Sequence, residues 1–215
     1  MKNIDTIIFD LDGTLLYTLE DLADSVNYVL EEHGYPLRTL AEVNSFVGNG
    51  LERLLELSLG ERPEDFGQIF AEFKKLYAAN CNNKTRLYDG VKETLAALKN
   101  GGYKMAIVTN KNTGALEVLK KIYFDGLIDV AVGQSEGLRR KPAPDGVLLA
   151  LRILGSDKNN AVYVGDSEVD AMTAANSGLP LIACLWGFRD RKILEKHGAE
   201  IFAEKPRDII EILKK

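Results

Sequence analysis

Short apolar runs that end on acidic or polar residues recur along this chain, separated by stretches with a helical period. Thr6-Ile7-Ile8-Phe9 is continuously apolar and rich in β-branched residues and stops at Asp10, the pattern of a strand buried on both faces. The same pattern returns at Met105-Ala106-Ile107-Val108, Asp129-Val130-Ala131-Val132, Ala161-Val162-Tyr163-Val164 and Pro180-Leu181-Ile182-Ala183. Most of the intervals between them are amphipathic with recognisable ends. Val91 to Lys99 stops at Gly101-Gly102, Pro144 opens a segment that runs to Leu154 and stops at Gly155, and Val169 to Ser177 stops at Gly178. Near the end of the sequence, Ile201-Phe202-Ala203 reads as a small edge strand and Pro206 to Leu213 as a closing helix.

One interval breaks this alternation, because from Leu15 to about Arg86 the pattern is helical throughout. Leu19, Leu22, Ala23, Val26, Val29 and Leu30 fall on one helical face, with Thr18 as an N-cap and Gly34 as a stop. Leu51, Leu54, Leu55 and Leu57, then Phe66, Ile69, Phe70, Phe73 and Tyr77, continue it. An interval of roughly 70 residues far exceeds the 2–6 usual between strand and helix, so it reads as an insert, with Asn80 to Asp89 as the return linker. The prediction is an α/β fold: a Rossmann-like parallel sheet core built from residues 1–15 and 86–215, and an all-helical cap domain at 16–85.

Composition narrows the function. The 215 residues carry 27 Lys and Arg against 32 Asp and Glu, a net charge of −5, which argues against a nucleic-acid partner. The apolar run after Met1-Lys2-Asn3 is interrupted by Asp10 and Asp12, unlike a secretory signal, and no uncharged apolar stretch reaches the roughly 18 residues of a membrane span. Cys81 and Cys184 are far apart without metal-type spacing and read as reduced thiols. The expectation is a cytoplasmic protein, a monomer or homodimer, with no membrane partner.

In open parallel sheets ligands bind beyond the carboxyl ends of the strands, and those ends are polar here. The first carries Asp10-Leu11-Asp12-Gly13-Thr14. In extended chain, residues two apart face the same side, which would bring the carboxyls of Asp10 and Asp12 together. Two close carboxylates resist joint ionisation, suiting one to nucleophilic attack and the other to acid/base work; the alternative is an Asx-type turn. Chance produces Asp-x-Asp-Gly-Thr in a chain this long less than about one time in a hundred. In Gly165-Asp166-Ser167-Glu168-Val169-Asp170 two acids lie four residues apart, on one face if a helix starts at once. With Asp10 they concentrate oxygen ligands suited to Mg²⁺; alternatively Asp166 caps a helix and Asp170 stabilises its first turn. Lys141, in Arg140-Lys141-Pro142-Ala143-Pro144, is either the counter-charge or part of a solvated basic turn. Thr109 and Asn110 either hold a phosphoryl oxygen or open a turn, and Lys111 faces the site or solvent. His33 and His197 sit at helix ends, and Trp186 packs on apolar surface or lines a pocket.

Taken together, these segments resemble the haloacid dehalogenase superfamily of phosphatases, in the branch with a helical cap after the first strand. Phe9-Asp10-Leu11-Asp12-Gly13-Thr14-Leu15, Val108-Thr109-Asn110, Lys141-Pro142-Ala143-Pro144 and Val164-Gly165-Asp166-Ser167-Glu168-Val169-Asp170 look like the four family motifs in order. Phe46-Val47-Gly48-Asn49-Gly50 and Tyr88-Asp89-Gly90-Val91 bring the chain nearest to phosphoglycolate phosphatases, although Leu87-Tyr88-Asp89-Gly90 departs from the proline-rich form of relatives. The resemblance implies a phosphatase acting on a small phosphorylated metabolite, with Asp10 as nucleophile and Asp12 as acid/base. It implies Mg²⁺ on the Asp10 carboxylate, the Asp12 carbonyl and Asp166, with Asp170 as a ligand or its support. Thr109 and Lys141 complete the catalytic set and Asn110 contacts substrate, while the cap offers Gly48 and Gly50 for close backbone approach and Asn49 or Arg53 for the leaving group; a plain Gly-rich turn with a solvated Arg53 is the alternative there. Competing readings are phosphoryl transfer of the β-phosphoglucomutase type, a pyrophosphatase, and, outside enzymes, a phospho-accepting signalling or interaction protein. A signalling receiver is a single domain of about 120 residues with its phosphoaspartate on a later strand, and fits poorly.

Overall fold

The computed structural model describes residues 3–214; Met1, Lys2 and Lys215, which the sequence reading assigns to the core domain, lie outside the described residues. The chain opens with β1 (Thr6–Phe9), passes through a two-residue strand β2 (Leu16–Tyr17), and enters helices α1 (Leu19–Glu32), α2 (Leu40–Phe46), α3 (Leu51–Leu59) and α4 (Phe66–Asn80). It returns through β3 (Arg86–Leu87), which pairs with β2. Alternation follows: α5 (Val91–Asn100), β4 (Lys104–Asn112), α6 (Thr113–Tyr123), β5 (Val130–Gln134), α7 (Asp145–Leu154), β6 (Ala161–Gly165), α8 (Glu168–Ser177), β7 (Leu181–Cys184), α9 (Arg191–Lys196), β8 (Phe202–Ala203) and α10 (Asp208–Leu213). The chain separates into two compact units, residues 17–86 and the remainder, the division falling one residue further along at each crossing than the sequence reading draws it.

In the α/β unit the main sheet has the order β5-β4-β1-β6-β7-β8, and all its pairings are parallel. β1 is central because every side chain in it is buried. Ile7 and Phe9 point to one face, where Met105, Ile107, Val162 and Val164 join residues of α5, α6 and α10. Ile8 points to the other, against Ala106, Val108, Tyr163 and residues of α7 and α8. Each fully buried Ile or Phe contributes about 1.5–3 kcal/mol, and alternation along a strand supplies both faces from one short run. Chain order reverses across β1, with β4 on one side and β6 on the other, so the crevice for a ligand opens at the carboxyl ends of β1 and β6. These ends carry Asp10 and Asp166.

The helical unit buries the predicted face of α1 (Leu19, Leu22, Ala23, Val26, Val29 and Leu30) together with Phe66, Ile69, Phe73 and Tyr77 of α4, while Phe70 is only half-buried. Its return segment is held by a buried acid the sequence reading passed over: Asp21 accepts from the main-chain N–H of Lys84 at 2.9 Å and of Thr85 at 2.8 Å. Three expectations are corrected. Thr18 occupies the N-cap position of α1 but makes no capping bond with its side chain, its helical backbone angles holding the hydroxyl away from the N–H groups. The interval read as free of strands contains β2 and β3, too short for any periodicity to reveal. β4 does not end at Val108 but continues to Asn112, with a shift of register against β5. No helix among the described residues is long and apolar enough to cross a membrane.

Candidate active site

Asp10 follows β1 directly, and its N–H still donates to Val164 of β6 at 2.9 Å, so the position of this carboxyl is fixed by the sheet. Lys141 reaches it from the loop between β5 and α7. That loop is stitched to β4 by Asn110, whose side chain accepts from the Lys141 N–H at 2.8 Å and donates to the Lys141 carbonyl at 3.2 Å. Asn110, predicted to contact substrate, thus spends its side-chain amide on placing the lysine. From there the ammonium donates to Asp10 Oδ1 at 2.7 Å, Asp170 Oδ1 at 2.8 Å and the Tyr163 hydroxyl at 3.0 Å. Three donors meet three acceptors, all buried.

Asp166 follows β6 and is fully buried. It does not cap α8; Ser167 does, in a reciprocal box with Asp170, on the extended backbone an N-cap needs. Asp170 is consequently saturated: Oδ2 accepts from the Ser167 hydroxyl at 2.6 Å and the Ser167 and Asp166 N–H groups, and Oδ1 from Lys141 and Tyr163. Asp166 is held by neutral donors, the Thr14 hydroxyl at 2.8 Å and the Phe188 N–H at 2.7 Å. Gly13 makes room for it: a Cβ there would lie 2.4 Å from the Asp166 carboxylate, and the backbone φ is +94°, a conformation glycine adopts without cost.

Oxygens of Asp10, Asp166 and Asp170 lie within 4.8 Å of one another. Burial, then the neighbouring Asp170 charge, raises Asp10 well above the usual carboxylate range, against the opposing pull of Lys141. Burial and Asp170 push Asp166 up to about 7 although the Phe188 and Thr14 hydrogen bonds favour its charged form. Burial alone would lower Lys141, but Asp10 and Asp170 outweigh it and hold the ammonium charged. Among the described residues Lys141 is the one cation bonded to this set, and Asp166 has no ion-pair partner. Hard oxygen donors with surplus negative charge fit a hard divalent cation.

Asp12 is held by Lys111, whose ammonium donates to its Oδ1 at 2.9 Å. Thr109, buried at the same place on β4, accepts from the Lys111 N–H at 3.1 Å. The structure therefore gathers Asp10, Lys141, Asp166 and Asp170 directly, with Asp12, Thr109 and Asn110 on the adjoining strand ends. Gly48, Asn49, Gly50 and Arg53 belong to the helical unit, the first three at the turn from α2 to α3 and Arg53 within α3, where it pairs with Glu56 at 2.7 Å. Trp186 packs against the core and donates from its indole to the Thr14 carbonyl at 2.9 Å. Tyr163 and the pairing of Lys111 escaped the sequence reading, where the one signal was a tyrosine inside an otherwise aliphatic strand, and Thr14 stood in the first motif without its bond to Asp166.

Residues 7–184 match the family model for haloacid dehalogenase-like hydrolases. A phosphoglycolate phosphatase of Xanthomonas campestris pv. campestris is 34% identical over 85% of this chain and 84% of its own. A protein of Caldanaerobacter subterraneus subsp. tengcongensis, provisionally named a pyrophosphatase (PpaX), is 32% identical over 98% and 95%. The crystal structure of a predicted phosphoglycolate phosphatase from Haemophilus somnus superposes with a TM-score of 0.90 at 30% identity, covering 99% of each chain. This chain belongs to the haloacid dehalogenase-like hydrolases.

Proposed function

We propose that this haloacid dehalogenase-like hydrolase is a Mg²⁺-dependent phosphatase that hydrolyses a small phosphomonoester of the phosphoglycolate type through an aspartyl-phosphate on Asp10. The observation that carries the proposal is the Lys141 ammonium bonded at once to Asp10 and Asp170 beside a third buried carboxylate. Burying such a group is expensive as stability and useful as chemistry. An Asp10 oxygen attacks phosphorus, and the bond from phosphorus to the ester oxygen breaks with its electron pair on that oxygen, which takes a proton from Asp12. Water then attacks the phosphoryl group and gives a proton to Asp12; the bond to Asp10 breaks and its carboxylate is restored. The Asp10 and Asp166 carboxylates and the Asp12 carbonyl would hold Mg²⁺, which when bound would supply the positive charge that lets an anion approach an anionic ester. Lys141 holds Asp10 in place and shares its charge, Asp170 and Tyr163 hold Lys141, and the Thr109 hydroxyl donates to a phosphoryl oxygen.

The phosphoglycolate phosphatases among its relatives support this substrate class. The Caldanaerobacter relative favours pyrophosphate as a second reading. Cys81 and Cys184 are buried, reduced thiols, in keeping with work in the cytoplasm. Phosphate release is to be measured with Mg²⁺ on 2-phosphoglycolate, sugar phosphates, nucleotides and pyrophosphate. Highest kcat/KM on 2-phosphoglycolate or a similar small acidic monoester is the expected result; preference for pyrophosphate would select the second reading, and no release from any of them would overturn both.

A further inference from the structure

We infer that Lys111 is a positioning residue for Asp12, pinning one carboxylate oxygen so that the other carries the proton in the reaction proposed above, on which this inference rests. Lysine normally lays its stem along the surface and keeps its ammonium in water, yet the Lys111 side chain is only 3% exposed and that of Asp12 17%. An ammonium this buried needs a partner, and it bonds Asp12 Oδ1 at 2.9 Å. Among the described residues Asp12 Oδ2 has no hydrogen-bond partner, so the carboxylate is fixed through one oxygen and open at the other.

The backbone is shaped to deliver this lysine. Val108 pairs with Val132 and Asn112 with Gln134, so β4 takes four steps where β5 takes two. The surplus bulges at Thr109 to Lys111, a device that re-aims side chains. Gly133 of β5 gives the bulge its space, since a Cβ there would lie 2.9 Å from the Lys111 carbonyl and 2.9 Å from Thr113 Cα. The Thr109 hydroxyl accepting from the Lys111 N–H at 3.1 Å closes it. The two lysines thereby divide the acids, Lys141 taking Asp10 and Asp170, and Lys111 taking Asp12. Misplacing a reacting group by about 1 Å costs about 10²-fold in rate, which is what an unpinned Asp12 would suffer.

The test compares an alkyl ester, 2-phosphoglycolate, with p-nitrophenyl phosphate. The alkoxide needs a proton to leave and the nitrophenolate does not. Because kcat/KM reports the steps through departure of the leaving group, a defect confined to Asp12 falls selectively on the alkyl ester. Lys111→Met is expected to lower kcat/KM on the alkyl ester by about 100-fold, and on the aryl ester by about tenfold less than that. Asp12→Asn should show the same asymmetry, and Lys111→Arg should recover part of the alkyl activity. Should the Met variant fail to fold, Lys111→Arg carries the test, with a smaller loss still confined to the alkyl ester. Equal losses on both esters, or none on either, would overturn the role of Lys111 while leaving the phosphatase reading intact. A wild-type chain inactive on both esters would remove that reading and this inference together.

Discussion

At the scale of single residues, the site is an arrangement of carboxylates that repel one another and are kept together by very few positive charges. Asp10, Asp166 and Asp170 have oxygens within 4.8 Å, and Lys141 bonds two of them. A carboxyl raised in the folded state, as Asp10 is by burial and Asp170, and Asp166 likewise to about 7, binds its proton more tightly folded than unfolded. Its stabilising contribution is therefore complete at low pH and is lost as the pH climbs from the unfolded carboxylate range, about 4, towards 7. On the proposed metal assignment, protons and Mg²⁺ would compete for the same oxygens. Thermal melts of the chelated protein should accordingly show these groups favouring the fold more at pH 5.5 than at pH 8, and the rise in Tm on adding Mg²⁺ should be larger at pH 8. A Mg²⁺ shift that is absent, or the same at both pH values, would contradict the metal assignment.

Elements show why some of this was legible in the sequence. The apolar runs located β1, β4, β5, β6 and β7 because a strand covered on both faces must be apolar throughout, and the polar residues at their ends then stood out. Bulges leave no such mark: nothing in Val108-Thr109-Asn110-Lys111 announces that β4 continues past it. Partners distant in sequence were equally hidden. Strand alternation places Asp12 on the side of Asp10 but cannot reveal that a lysine 99 residues away holds it, and nothing in the sequence shows that Ser167 rather than Asp166 caps α8. Asp21 is a further case, an acid on the first helical stretch that gave no sign of holding the return segment. Its carboxylate accepts from the N–H groups of Lys84 and Thr85 and is 2% exposed. Removing an acceptor from buried donors costs about 1–3 kcal/mol. Asp21→Ala should lower stability by that amount in urea melts, and Asp21→Asn, which keeps one acceptor, by less; an unchanged midpoint for the alanine variant would show that water replaces the carboxylate at no cost.

For the whole molecule, the order of the sheet matters most. The chain leaves β1 for β4 and β5 on one side and comes back for β6, β7 and β8 on the other, so residues over 150 apart in sequence meet where the order reverses, as the hydrogen bond from Thr14 to Asp166 records. A parallel sheet points all its carboxyl ends one way, which explains how four sequence segments converge without any of them being adjacent. The central claim is that the carboxylate of Asp10 attacks phosphorus. Phosphate release by Asp10→Asn, measured beside the wild type on 2-phosphoglycolate with saturating Mg²⁺ and with folding checked by circular dichroism, tests it most directly. The prediction is a folded protein whose turnover falls by at least about 10³-fold, the scale of removing a group essential to the chemical step. A folded Asn variant that keeps turning over within about tenfold of the wild type would contradict it, since that leaves about 1.4 kcal/mol for the group to have contributed.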